Sequence, residues 1–242
     1  MIFKLERVAE TASTNSDLKE AARLGAPIGS ALLAASQSGG RGRMDRAFSS
    51  GEGGLYLSLL LPLESPAAAG LLTTFAAVAV ARAIEGIFDV EIKIKWVNDL
   101  LVGGKKVCGI LAEGVATEWG YRAVLGIGVN LFNELPDELS KIATTLFAQS
   151  GKKISPDFLA EAILREFEDF EKVDFAEFID EYRHKCVVIG ENITVIPHSD
   201  TTYEAKALDV LGDGSLLVER LDNGGKVKLF SGEVSTKLSR SE

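Results

Sequence analysis

The residues most able to do chemistry lie in three short runs. The first is Gln37-Ser38-Gly39-Gly40-Arg41-Gly42-Arg43. Glycines let backbone N–H groups approach a ligand closely, and arginines offer planar donors that match a carboxylate or a phosphate. The bland alternative is a flexible solvent loop. A P-loop is excluded, because the G-x-x-x-x-G-K-[ST] pattern is absent. The second run is Lys95-Trp96-Val97-Asn98-Asp99, followed by Lys105-Lys106-Val107-Cys108-Gly109-Ile110. Alone, Asn98-Asp99 reads as turn chemistry. Two lysines, an amide and a carboxylate on one hairpin beside Gly109 suit a polyphosphate and its magnesium better than bare surface. The third run is Gly126-Ile127-Gly128-Val129-Asn130. Alternation puts Gly126, Gly128 and Asn130 on one face, a flat floor on which a ring could lie. A dinucleotide fingerprint is disfavoured by the missing third glycine and following helix.

These runs need a scaffold. A first helix is predicted from Thr14 or Asn15, with Leu18, Ala21, Ala22 and Leu24 as its apolar face and Gly25 with Pro27 ending it. Ala31–Ala35 and Leu55–Leu61 read as strands flanking the long polar loop from Gln37 to Gly54, and Ser65-Pro66 starts a buried helix. Ile92, Ile94 and Trp96 alternate with Lys93 and Lys95 as a strand. Gly103-Gly104 turns it into a second strand, Lys105–Glu113, and Tyr121–Leu131 makes a third. Ser155-Pro156-Asp157 opens a helix with Leu159, Ile163, Phe167 and Phe170 at helical spacing, and Phe175, Phe178, Ile179 and Tyr182 continue on another. After Cys186 the texture changes to short runs, Val187–Ile196, Tyr203–Leu211, Ser215–Leu221 and Lys226–Phe230, broken by Gly turns. That pattern predicts a small all-β barrel, with the boundary near Val187.

The 242 residues are 46% hydrophobic and 25% charged, which excludes a disordered or fibrous chain and allows one large unit plus a small one. A formal charge of −9 argues against nucleic-acid binding through the bulk field. The excess acid concentrates between Asp157 and Glu181, on the outer face of predicted helices, whereas Ser36–Ser50 and Glu91–Lys106 are each net positive by two. The clue to an anionic ligand is therefore local. Cys108 and Cys186 are too few for a disulfide framework and suit a reducing compartment. The N-terminus shows no signal pattern, and the apolar stretch Pro66–Ala81, sixteen residues, is short for a membrane span and reads as a buried core helix. These features read as a soluble, cytoplasmic protein. No convincing Ser–His–Asp set is present, since His184 and His198 lie far from the three runs.

Taken together, the motifs resemble those of the biotin–protein ligases. Ser13-Thr14-Asn15, Gln37 with Gly40-Arg41-Gly42-Arg43, Lys95-Trp96-Val97-Asn98-Asp99, Lys106 with Gly109-Ile110-Leu111, the Gly126–Asn130 strand and the terminal β segment carry the resemblance in order from about residue 10 to residue 238. Departures are Val97 where the family usually has proline, Met44-Asp45 for a more basic continuation, and Phe48 where tryptophan is common. The resemblance implies an α+β fold. Residues 1–187 would form a class II aminoacyl-tRNA-synthetase-like catalytic domain, a mixed sheet with flanking helices, and 188–242 a C-terminal SH3-like β-barrel. It implies an ATP-dependent ligase that makes biotinyl-5′-AMP and transfers biotin to a lysine. The acceptor would be a biotin carboxyl carrier domain, of acetyl-CoA carboxylase or another biotin-dependent carboxylase.

The same resemblance implies roles. Lys106 and Arg43 are catalytic; Ser13, Thr14, Asn15, Gln37, Arg41, Gly42, Arg43, Lys106, Gly109, Gly126 and Gly128 bind biotin. Arg41, Arg43, Phe48, Lys95, Asn98 and Asn130 bind ATP, and Asp99 holds Mg2+. No nucleic acid or membrane partner is expected, and a homodimer is compatible. Because the catalytic motif starts at Ser13, the resemblance is to monofunctional members without a DNA-binding domain. A lipoate or octanoate ligase and a non-catalytic biotin-binding module are the alternatives; polar Thr14, Asn15 and Gln37 favour a urea, and an intact Lys106 favours catalysis.

Overall fold

The computed structural model describes residues 1–43, 46–65, 68–168, 172, 174–197, 201–230 and 233–236. Met44-Asp45, Pro66, Phe170, His198 and the side chain of Phe175 lie outside the described residues.

A seven-stranded mixed sheet forms the body. Its strands are β1 (Lys4–Thr11), β2 (Ser30–Gln37), β3 (Leu55–Pro62), β4 (Lys93–Lys95), β5 (Asp99–Val102), β6 (Lys105–Thr117) and β7 (Gly120–Val129), in the order β1-β2-β3-β7-β6-β5-β4. Among the described residues, only β1 and β2 of this sheet run parallel. The central strand β3 is buried along Leu55–Leu61 and serves two faces. Leu55, Leu57, Leu59 and Leu61 point into the main core, while Leu60 joins a smaller cluster with Leu18, Ala22, Val115 and Val124.

The main-core face is covered by α2 (Ala69–Phe88), α4 (Pro156–Phe167) and α5 (Phe175–Lys185). Helix α2 is long and apolar enough to cross a membrane by length and composition, yet 72% of its apolar window is buried inside the protein. It is a core helix because aromatic rings from its neighbours close on it: Phe75 meets Phe167 at 5.2 Å and Phe178 at 4.5 Å, both edge-on. The opposite face is only partly covered, by α1 (Thr14–Arg23), which leaves a cleft open beside it. A short α3 (Leu146–Ser150) closes the loop after β7.

A second, five-stranded antiparallel sheet follows, with β8 (Asn192–Ile196), β9 (Tyr203–Val210), β10 (Leu216–Arg220), β11 (Lys226–Leu229) and β12 (Glu233–Thr236) in the order β11-β10-β9-β8-β12. Its interior residues Ile193, Ala205, Val218 and Val234 belong to the main core. Trp96 Nε1 donates to Gly214 O at 3.1 Å and Arg183 Nε to Val210 O at 2.7 Å, so side chains of the first body tie down turns of the second.

Several expectations need correction. Helix α2 begins at Ala69 with no side-chain cap, so Ser65 does not cap it and only accepts the Ala68 N–H through its carbonyl. The strand expected from Val187 starts at Asn192, because residues 187–190 form a turn ending at Gly190, φ +86°. The strand containing Ile92–Trp96 does not run to Gly103-Gly104; it stops at Lys95, turns through Trp96-Val97-Asn98, and β5 intervenes. Strands β1 and β12 have no sequence signal strong enough to be drawn. The helix starting at Ser155 is as expected: Ser155 Oγ accepts the Phe158 N–H and Pro156 occupies the first turn.

Phe75 is fully buried between two aromatic rings. Phe75→Ala should lower the unfolding free energy by about 3–5 kcal/mol, read from urea denaturation as a lower midpoint with an unchanged slope.

Candidate functional site

The cleft lies on the α1 face of the sheet. Ser13 sets its edge: extended at φ −164°, it caps α1 by accepting the Ser16 N–H, which aims Thr14 and Asn15 down at the sheet. Both are buried, at 4% and 7% exposure. Thr14 N donates to Gln37 Oε1 at 2.9 Å, fixing that amide's oxygen toward α1; its nitrogen then donates to Ser50 Oγ at 3.0 Å, and Ser50 to Phe48 O at 2.9 Å. The Gly-rich loop is thereby tied at both ends. It folds back on itself through Phe48 N to Gly40 O, Gly42 N to Arg46 O and a bridge between Arg41 and Ala47. A Cβ at Gly40 would stand 2.3 Å from Ser50 Oγ and 2.6 Å from Phe48 O, so only glycine fits there.

The floor is the β6–β7 pair, in which Gly109 lies opposite Gly128 and Leu111 opposite Gly126. The space above these glycines is filled by side chains. A Cβ at Gly126 would come within 2.2 Å of Asn15 Oδ1, and one at Gly128 within 2.7 Å of the Phe48 ring. Phe48 in turn stands edge-on to Tyr56, 6.4 Å between centroids. The cleft is open to solvent, and the Asn15 and Phe48 side chains occupy much of the space above its floor.

Lys106 reaches this floor through a β-bulge. Cys108 pairs with Leu100 but Lys106 pairs with Leu101, so Val107 is an extra residue. Strict alternation from Gly109 would send Lys106 to the core face; the extra residue returns it to the cleft, where its Nζ lies 3.0 Å from the position of a Gly109 Cβ and 5.7 Å from the Phe48 ring centroid. There it pairs with Asp99 at 2.6 Å.

The structure brings together Ser13, Thr14, Asn15, Gln37, Arg41, Gly42, Arg43, Phe48, Asn98, Lys106, Gly109, Gly126 and Gly128 as lining of one cleft. Asn98 is held by donating to Ile110 O at 2.9 Å and faces Arg43 Nη1 at 3.4 Å. Lys95 and Asn130 are not among the lining residues. Asn130 is one residue past the end of β7, so the expected alternation stops short of it; its amide donates to Thr144 O at 3.3 Å and anchors the following loop. Asp99 is engaged by Lys106, and among the described residues no group of three His, Cys, Asp or Glu side chains converges. A magnesium ion carried in by nucleotide phosphates needs only one or two protein carboxylates, a part Asp99 would take on by giving up its contact with Lys106.

Sequence reasoning missed Ser58, Glu113, Ser50 and Tyr56. The signal for Ser58 was a lone serine in the apolar run Leu55–Leu61, and for Glu113 a lone carboxylate ending an apolar stretch of β6. Cys108 is fully buried in the core, and that burial pushes its thiol far up, opposed by Lys106 and aided to a lesser extent by Asp99.

A profile of the Biotin/lipoate A/B protein ligase family matches residues 8–130, just over half of the 242. The chain is 38% identical over 232 residues to the bifunctional ligase/repressor BirA of Bacillus subtilis, covering 92% of this chain and 70% of that one. It is 32% identical to the biotin–[acetyl-CoA-carboxylase] ligase of Mycobacterium tuberculosis, covering 94% and 86%. The biotin protein ligase of Aquifex aeolicus, solved in complex with biotin and ATP, superposes with a TM-score of 0.79 at 30% identity over 96% of this chain and 97% of that one. With the whole cleft from Ser13 to Gly128 inside the matched segment, the chain belongs to the Biotin/lipoate A/B protein ligase family.

Proposed function

We propose that this protein is a biotin–protein ligase, which activates biotin with ATP and transfers it to a lysine of a biotin carboxyl carrier domain. The observation that carries this reading is one cleft holding Lys106, Arg41 and Arg43 beside the neutral polar set Thr14, Asn15 and Gln37. A urea is neutral and can join neutral donors and acceptors, whereas a dithiolane or an alkyl chain offers this polar set nothing to hydrogen-bond.

The first step forms a bond from a biotin carboxylate oxygen to the α-phosphorus of ATP and breaks the bond to the β-phosphate, whose oxygen leaves with the electron pair as pyrophosphate. The obstacle is electrostatic, an anion approaching a polyanion. Lys106 answers it as the cation on the cleft floor, exchanging its contact with Asp99 for the reacting carboxylate and phosphoryl oxygens. Arg41 and Arg43 close the other side, with backbone N–H groups of their loop as further donors. Phe48 offers a ring to the adenine. In the second step the acceptor lysine's amine attacks the mixed anhydride, AMP leaves, and no protein nucleophile is required.

We also read residues 1–187 as the catalytic domain, of class II synthetase type, and 188–242 as an SH3-like barrel. Five short antiparallel strands in the second sheet support the latter. Two cysteines, both unpaired and buried, support a cytoplasmic setting.

Pyrophosphate–ATP exchange should depend on biotin and not on lipoate or octanoate; exchange driven by lipoate alone would overturn the reading. Lys106→Ala should slow single-turnover adenylation at saturating substrates by roughly a hundredfold, about 3 kcal/mol, and a loss under threefold would make Lys106 a bystander. Gly128→Val should displace the Phe48 ring it would meet at 2.7 Å and raise the KM for ATP by about tenfold, measured in the same exchange assay.

A further inference from the structure

Below the cleft, a chain of buried polar contacts runs from the surface to the Gly-rich loop. Lys19 Nζ pairs with Glu113 Oε1 at 2.7 Å, and Asn15 Nδ2 donates to Glu113 Oε2 at 2.8 Å. Asn15 Oδ1 lies 2.6 Å from Ser58 Oγ, Ser58 Oγ lies 2.8 Å from Thr14 Oγ1, and Thr14 Oγ1 lies 3.1 Å from Gln37 Oε1. The orientation of both terminal amides is determined by their outer partners. A carboxylate paired with an ammonium only accepts, so the Asn15 nitrogen must face Glu113 and its oxygen must face Ser58. The Thr14 N–H likewise holds Gln37 by its oxygen.

Between those two carbonyl oxygens stand two hydroxyls. Three oxygen–oxygen contacts therefore share two protons, and one contact is always without a donor. If Asn15 were turned over, its amide nitrogen would donate to Ser58, Ser58 to Thr14 and Thr14 to Gln37, and the chain would be complete. The carboxylate of Glu113 at 2.8 Å, aided by the longer contact of the same nitrogen with Leu111 O at 3.5 Å, prevents that turn. With Thr14 donating to Gln37 and Ser58 to Asn15, the two hydroxyl oxygens face each other at 2.8 Å with no proton between them; a ligand N–H given to either carbonyl frees a hydroxyl proton for that contact and relieves the cost.

We propose that Glu113 is a specificity-determining positioning residue: by locking the amide of Asn15 it keeps this hydroxyl chain one donor short, so that the cleft selects a ligand carrying N–H groups. This rests on the biotin reading above, whose urea carries two. Glu113 itself acts through Asn15 and does not touch the reacting atoms.

The test is a reciprocal exchange in the intact protein, read by biotin-dependent pyrophosphate–ATP exchange. In Glu113→Gln, Lys19 keeps the amide oxygen and the new nitrogen faces Asn15, which turns against its long 3.5 Å contact with Leu111 O, and the KM for biotin should rise about tenfold while kcat and the KM for ATP stay within twofold. In Asn15→Asp two carboxylates face each other, and the rise should be larger. In the double variant the new amide at position 113 donates to the new carboxylate at position 15, whose other oxygen accepts from Ser58 as before. Its KM for biotin should return to within about threefold of the parent, although each change alone is harmful. An unchanged KM for biotin in Glu113→Gln, or a double variant no better than the worse single one, overturns the proposal. Absence of biotin-dependent exchange in the unsubstituted protein would instead overturn the ligase reading itself. A merely structural Glu113 would lower stability and kcat without this selective, reversible effect on one substrate.

Discussion

One extra residue in β6 decides where the chemistry can happen. Val107 has no partner of its own on β5, so Val107 and Cys108 both go to the core while Lys106 and Gly109 both face the cleft. Removing the bulge would flip Lys106 into an apolar layer, where an ammonium is prohibitively expensive. The same register sets Asp99 opposite Gly109 and Gly109 opposite Gly128, which supplies the partner of the lysine and the flat ground beneath it. A pairing defect worth little in itself therefore aligns a charge, its counter-ion and an open floor.

The sheet divides its labour by face. One side is sealed by α2, α4 and α5 with apolar side chains, and its burial provides the bulk of the stability. The other side carries Ser58, Thr14 and Asn15 in near-complete burial, which is tolerable only because each finds a partner across the sheet or on α1. The polar face can be built because the apolar face holds the strands rigid. The second sheet contributes at the seam, where Gly214 O receives Trp96 and Val210 O receives Arg183, steadying the turn that presents Asn98.

Much of this was legible in the residues. Thr14-Asn15 marked the start of the first helix, although its cap is Ser13, Ser155 announced the start of another, the run Leu55–Leu61 announced a buried strand, and the motif resemblance named thirteen of the residues that line one cleft. What stayed hidden depends on partners far along the chain. Strand β1 alternates too weakly, being mostly exposed along Lys4–Thr11, and exists because β2 offers it an edge. Strand β5 is four residues between two turns, too short for a periodicity. Asn130 kept its expected place in sequence but left the strand one residue early, and Glu113 becomes meaningful only when register lays it against Asn15.

Helix α2 also sets a condition on how the chain is made. Its apolar surface is complete once Phe88 has been synthesised, but the helices that cover it end at Phe167 and Lys185. The face of α2 that α4 and α5 cover therefore waits for about a hundred residues more, roughly 5–20 s at ordinary elongation rates. During that interval the partners that emerge first are β4 to β7 and the loop after them. Slower synthesis between residues 88 and 185 would lengthen that interval.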